Sequence, residues 1–128
     1  MNDPVAKISG MLRRIQEEGG QGNFVVFIAD ADKNYYVQIM ASMEDQRLLA
    51  EAVSNEFLER EHELNPGQMQ KIEEMGWSKP GPTPNFHREW VASNDQDRLE
   101  IAREVRDTFL EVYGWKPGDG IEVELAPE

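Results

Sequence analysis

Glu44-Asp-Gln-Arg-Leu-Leu-Ala-Glu-Ala-Val-Ser-Asn-Glu-Phe-Leu58 is the stretch that decides the fold, because it reads in two ways. Leu49, Val53 and Phe57 recur every four residues among good helix formers, which argues for a helix over residues 44–58. Leu48, Ala50 and Ala52 also alternate with Leu49, Glu51 and Val53, which would make a strand. Periodicity alone favours the helix. The choice decides whether the hairpin upstream gains a third strand.

That hairpin is clear. Phe24-Val-Val-Phe-Ile28 is an unbroken apolar run rich in β-branched and aromatic residues, and Tyr35–Met40 is a second strand pattern. Asp30-Ala-Asp-Lys-Asn34 joins them with polar turn formers. The same residues begin a calcium-loop pattern that fails at Tyr35, where glycine is required, and at Ala41, where glutamate is required. Upstream, Val5, Ile8, Leu12 and Ile15 predict a helix over residues 4–17, with Asp3 as cap and Gly19-Gly20 with Gly22 as its end. Those glycines follow a helix and lead into a strand, the reverse of a phosphate cradle.

Downstream, Asn65-Pro-Gly-Gln68 is a helix start, Met69, Ile72 and Met75 form its inner stripe, and Gly76 ends it. Trp77-Ser-Lys-Pro-Gly-Pro-Thr-Pro-Asn-Phe86 fits neither a helix nor a strand period, so residues 78–84 read as a defined crossing loop between two aromatic anchors. Residues 85–93 read as a strand. Ser93-Asn-Asp-Gln96 opens the longest helix, residues 95–113, with Ala102, Val105, Phe109 and Val112 as its stripe. Ile121–Leu125 alternates as a closing strand.

The chain of 128 residues reads as one domain, residues 1–128, with no repeat or second unit. It has no cysteine, which removes thiol nucleophiles, disulfides and zinc–thiolate sites. No basic-then-apolar leader opens it and no apolar run reaches membrane length, so a cytoplasmic location is expected. The formal net charge of −12, from 25 acidic against 13 basic residues, repels phosphate backbones and anionic lipid. Neither nucleic acid nor a membrane is therefore expected as a partner.

No catalytic residue, metal site or cofactor is expected. His62 sits in Glu61-His-Glu63, a solvated charged face; His87 alternates with Asn85 and Glu89 on one side of a strand. A small-ligand-binding or hydrolytic site built from His87, Arg88 and Glu89 beside the proline loop is the alternative reading. It lacks a nucleophile or third ligand at recognisable spacing.

The remaining signal is apolar surface. Phe24 to Ile28 places large side chains on both faces of a small sheet. Two readings stand: one face stays partly bare and marks an interaction site, or the short helix and proline loop with Trp77 and Trp90 cover it.

Taken in order, the hairpin, Ala50-Glu-Ala-Val-Ser-Asn55 with Phe57-Leu58, the helix into Gly76-Trp-Ser-Lys-Pro80, Asn85-Phe-His-Arg88 and Val112-Tyr-Gly114 resemble the TY-Chap domain family, related to type III secretion chaperones and YbjN-like proteins. The resemblance covers nearly the whole chain. It implies an α+β fold of the type III secretion chaperone kind: one antiparallel sheet of five strands with three helices, in the order α-β-β-β-α-β-α-β. It also implies that residues 48–56 are the third strand, against the periodicity. The resemblance also implies a non-enzymatic module that binds extended peptide segments of other proteins. Apolar sheet surface or a strand edge is the expected place for such a protein or peptide client, and a homodimer is compatible with it. Candidate client-binding residues are Phe24, Val26, Tyr36, Trp77, Phe86 and Trp90.

Overall fold

A computed structural model describes residues 4–18, 24–42 and 45–126. The chain runs α1 (Val5–Glu18), β1 (Phe24–Asp30), β2 (Tyr35–Ala41), β3 (Arg47–Ala52), α2 (Pro66–Glu74), β4 (Phe86–Val91), α3 (Asp95–Glu111) and β5 (Glu122–Ala126). This is the α+β order that the family resemblance implies. The strands form one antiparallel sheet in the order β4-β3-β2-β1-β5. The hairpin pair β1–β2 therefore lies inside the sheet, while β4 and β5 are its edges.

The ambiguous stretch is a strand where it matters most, which corrects the helix favoured by periodicity. Leu48, Ala50 and Ala52 of β3 lie opposite Ala41, Ile39 and Val37 of β2 on one side, and opposite Trp90, Arg88 and Phe86 of β4 on the other. A strand between two partners gains ladder bonds and burial on both flanks, and this outweighs local helix propensity. The spacing-four set then disperses: Leu49 turns to the other face, Val53 is buried beyond the strand, and Phe57 is left 47% exposed in a 3₁₀ turn over Asn55–Phe57. The strand ends at Ala52, short of residue 56. Ser54 donates its N–H to Asn85 Oδ1 at 2.9 Å and its hydroxyl to Pro84 O at 2.7 Å, so polar side-chain bonds replace the ladder there.

Capping residues set the helix ends. Asn65 and Gln68 exchange side-chain and backbone bonds of 2.8 Å each at the start of α2. The cap of α3 is Asn94, one residue later than the sequence pattern suggests. Asn94 Oδ1 accepts from Asp97 N–H at 2.8 Å, and Asp97 in return accepts from Ser93 N–H at 2.9 Å. A carboxylate in the first turn, near the positive helix end, favours that register. The expected Asp3 cap and the Gly19, Gly20 and Gly22 stop lie outside the described residues.

The helices share one face of the sheet. Val5, Ile8, Leu12 and Ile15 of α1, with Ala102, Val105 and Phe109 of α3, bury against Val25, Phe27, Val37, Ile39 and Leu48. Short α2 lies beside α3, where Gln68 Nε2 donates to Val112 O at 2.8 Å and Lys71 pairs with Glu111 at 3.5 Å. Trp77, just after α2, donates its indole N–H to Thr108 Oγ1 at 3.1 Å and meets Trp90 edge-on at 5.8 Å. No helix among the described residues is long and apolar enough to cross a membrane.

Tyr113 locks the end of α3 to the sheet: its hydroxyl donates to Val53 O at 2.6 Å, both groups being buried. Burial pushes its phenol well above the ordinary range. The unfolded chain releases this proton near pH ~10 while the folded chain retains it, so the contribution of Tyr113 is intact below pH ~10 and falls as pH rises further. Urea unfolding from about pH 9 to 11 should show stability dropping more steeply in the native chain than in Tyr113→Phe. Equal slopes would mean that Tyr113 does not titrate differently on folding.

Candidate functional site

With the three helices on one side, the other face of the sheet carries no layer of its own among the described residues. Strand alternation turns Phe24, Val26 and Ile28 of β1, Tyr36, Gln38 and Met40 of β2, and Leu49 and Glu51 of β3 toward it. None of these is buried, and Met40 is 36% exposed. The covered side of the same strands differs sharply: Val25, Phe27, Val37 and Ile39 are 0% exposed.

Register arranges the open face in rows. Ile28 lies opposite Tyr36 on one side and Glu122 on the other. The next row runs Glu124, Val26, Gln38, Glu51, His87 across all five strands. The third holds Phe24, Met40, Leu49 and Glu89. An apolar band on β1 and β2, extended by Leu49, is thus bordered by Glu122 and Glu124 along β5 and by Glu51 and Glu89 on the far side.

Two hollows open on this face. One of about 300 Å³ lies against Val26, Ile28, Tyr36 and Glu124; the other, about 450 Å³, lies against Met40, Leu49, Glu51, His87 and Glu89. Both reach Gln38, so they flank one polar side chain in the middle of the sheet. Ser78 and Thr83 of the proline loop form the rim of the second. The loop is fixed there by paired backbone bonds between Ser78 and His87 of 2.8 and 3.2 Å, and Thr83 Oγ1 lies 3.3 Å from His87 Nδ1.

Arg47 is the guanidinium at the margin of this face, and it is already engaged. It donates to Asp45 at 2.9 Å and to Glu89 at 3.0 Å. The hydrogen bond to Asp45 is the main reason its pKa is raised, and the Arg47 backbone N–H chiefly holds the Asp45 carboxyl below its ordinary range.

The candidate residues divide between the two sides. Phe24, Val26 and Tyr36 lie on the open face. Trp77, Phe86 and Trp90 are 3%, 2% and 8% exposed within the core on the helix-covered side. Phe86 also forms the floor of a separate groove of about 570 Å³ between α2 and the proline loop. Ile28, Met40 and Leu49 belong to the open face but are missing from the sequence-derived set. The period-two alternation of β1 and β2 carries the first two, whereas Leu49 depended on the strand assignment of the ambiguous stretch.

His87, Arg88 and Glu89 do not converge. His87 and Glu89 face the open side; Arg88 points into the helix side with its guanidinium 4.5 Å from the Trp90 ring and 5.8 Å from that of Trp77. Arg88 donates to Met75 O at 2.9 Å and pairs with Glu104 at 3.0 Å. Elsewhere, Glu59, Glu61 and His62 bring ligand atoms within 4.8 Å of one another, with both carboxylates exposed.

A family model described as T3SS (YopN, CesT) and YbjN peptide-binding chaperone 3, TY-Chap3, matches residues 6–121. No curated protein and no solved structure gives a significant match.

Proposed function

The chain belongs to the TY-Chap3 family of peptide-binding chaperone domains, and we propose that it holds client segments on the open face of its sheet. One observation carries this reading: among the described residues no helix lies over the band of Phe24, Val26, Ile28, Tyr36 and Met40, none of which is buried, although Val25, Phe27, Val37 and Ile39 on the opposite side of the same strands are 0% exposed. Apolar side chains left to water on a sheet are stabilised by a partner that covers them. The two hollows beside Gln38 accept client side chains, and the amide of Gln38 offers a hydrogen bond between them.

The activity assigned is binding without chemistry. His87 and Glu89 share the larger hollow, but the Arg88 guanidinium points to the other side of β4, so the three residues do not assemble into a hydrolytic site. Of the candidate residues, Phe24, Val26 and Tyr36 contact the client in this reading, while Trp77, Phe86 and Trp90 support β4 from beneath.

A second reading is favoured by the β4 edge. His87 turns its backbone groups outward to Ser78, so Glu89 and Val91, two and four residues on, turn theirs the same way, toward an edge that Ser78 does not reach. Val91 is 62% exposed. An extended client strand, or a second copy, could add there through main-chain bonds.

Titrating the ¹⁵N-labelled chain with an unfolded apolar peptide separates these readings. Face binding should shift the amides of Val26, Tyr36, Gln38, Met40 and Leu49. Shifts confined to Glu89–Val91 would instead establish edge addition. Shifts confined to the groove between α2 and the proline loop would overturn both.

A further inference from the structure

We infer that the client is a basic amphipathic segment, docked as a short helix along β1 and β2 with its lysines or arginines on both flanks; this rests on the open face being the binding surface. The border of the apolar band is predominantly acidic. Glu122 and Glu124 line it along β5, and Glu51 and Glu89 line it on β3 and β4. Arg47 opposes these carboxylates, and it is held by Asp45 and Glu89. The formal net charge of −12 adds attraction for a cationic segment at longer range.

Spacing selects the shape of the client. Glu124 and Glu51 occupy one row, on β5 and β3, with Val26 of β1 and Gln38 of β2 between them. Three steps at the usual interstrand distance put their backbones about 14 Å apart. A helix with its side chains is about 10–12 Å across, so it fits between the acidic columns with its flanks against them. Along the strands, Phe24 to Ile28 spans roughly 13 Å, the length of about nine helical residues. An apolar stripe at helical spacing covers Phe24, Val26, Ile28 and Met40. Residues beside that stripe then fall next to Glu122 and Glu124 on one flank and Glu51 on the other, with Glu89 one strand further out. An extended strand presents only one narrow row of side chains to the face and reaches one acidic column at a time.

Fluorescence anisotropy with three labelled peptides tests this on the full chain. The peptides share one leucine and phenylalanine stripe at helical spacing and differ only in flanking residues: lysine, glutamine or glutamate. At low salt the lysine peptide should bind about tenfold more tightly than the glutamine peptide, the sum of several partly exposed charge pairs, and the glutamate peptide most weakly. The lysine advantage should shrink in high salt. Glu51→Gln with Glu124→Gln should also reduce it. Asn85 Nδ2 donates to Glu51 Oε1 at 3.2 Å, and the amide introduced by Glu51→Gln keeps an acceptor oxygen for that bond. The charge-matched pair Glu17→Gln with Glu100→Gln, both on helices, should leave the advantage in place.

Equal binding of the lysine and glutamine peptides would overturn the basic client while leaving the open face as the site. A lysine advantage that survives Glu51→Gln with Glu124→Gln, or falls equally with the helix pair, would overturn the placement of the charges. Binding of none of the three would overturn both the inference and the reading beneath it. A lysine-flanked peptide with its stripe rearranged to strand alternation should bind more weakly; tighter binding would overturn the helical form.

Discussion

Met40→Asp should weaken the glutamine-flanked apolar peptide by at least about tenfold, while Leu110→Asp leaves its binding unchanged. The two positions form a matched pair. Met40 is 36% exposed and Leu110 is 39% exposed, so each presents a similar fraction of an apolar side chain to water. They differ in where they present it. Met40 stands between Phe24 and Leu49 in the third row of the open face, and Leu110 lies near the end of α3 in the helix layer. Covering the exposed third of a side chain of this size is worth about 0.5–1 kcal/mol, roughly a factor of two to five in affinity. Aspartate forfeits that gain and adds the cost of stripping water from a carboxylate. The neutral peptide matters because a lysine peptide would be attracted to the new charge and mask the apolar loss. Aspartate is a poor strand former, so Met40→Asp should also lower stability by about 1 kcal/mol, and urea titration checks that the variant is folded where binding is measured. Equal weakening by Leu110→Asp would move the binding surface to the helices and sink the open-face reading.

The same residues show what could be read in advance. Phe24-Val-Val-Phe-Ile28 has no polar position, and alternation alone says that half of so apolar a strand faces away from the core. That much was legible, as were the hairpin, the α2 cap at Asn65 and the stripe of α3. The bare face itself was not. A helix stripe records that a helix is covered on one side, but not which side of the sheet covers it. That depends on β4 joining at β3 and β5 joining at β1, with α3 crossing between the two edges. Trp77 and Trp90 were misleading for a related reason. An indole is amphipathic and serves equally at an interface or in a core, and only Thr108 and Glu104, placed by α3, show where these two N–H groups bond. Leu49 was hidden by its own neighbours, since Leu49, Val53 and Phe57 recur at helical spacing among good helix formers. Long-range pairing decided against it.

Gly76→Ala should cost about 2–3 kcal/mol of stability, more than an alanine at Gly114, and the difference should depend on Arg88. Gly76 closes α2 at φ +109°, a conformation that a side chain strains to adopt. Its Cβ would also lie 2.8 Å from Arg88 Nη1, 3.2 Å from Cζ and 3.3 Å from Nη2. An arginine tip can ordinarily swing aside. This one is held by Met75 O at 2.9 Å and Glu104 at 3.0 Å, and it stacks on Trp90 at 4.5 Å, so making room breaks several contacts together. Gly114, at φ +74° with nothing within 4 Å of its added Cβ, carries the backbone strain alone and should lose about 1 kcal/mol. Combining Gly76→Ala with Arg88→Met separates the two terms. Methionine still packs on the indoles but removes the fixed guanidinium, so Gly76→Ala should cost about 1 kcal/mol less in that background. Urea unfolding followed by tryptophan emission reads all four corners of the cycle. An unchanged cost in the Arg88→Met background would mean that the guanidinium is no obstacle and that backbone strain is the whole effect. Peptide binding by the folded fraction of Gly76→Ala should match the native chain, because Gly76 and Arg88 lie beneath β4 and not on the open face. The pattern is the inverse of Met40→Asp, which loses binding while keeping most of its stability, and the two variants together separate the surface that holds a client from the core that holds the sheet.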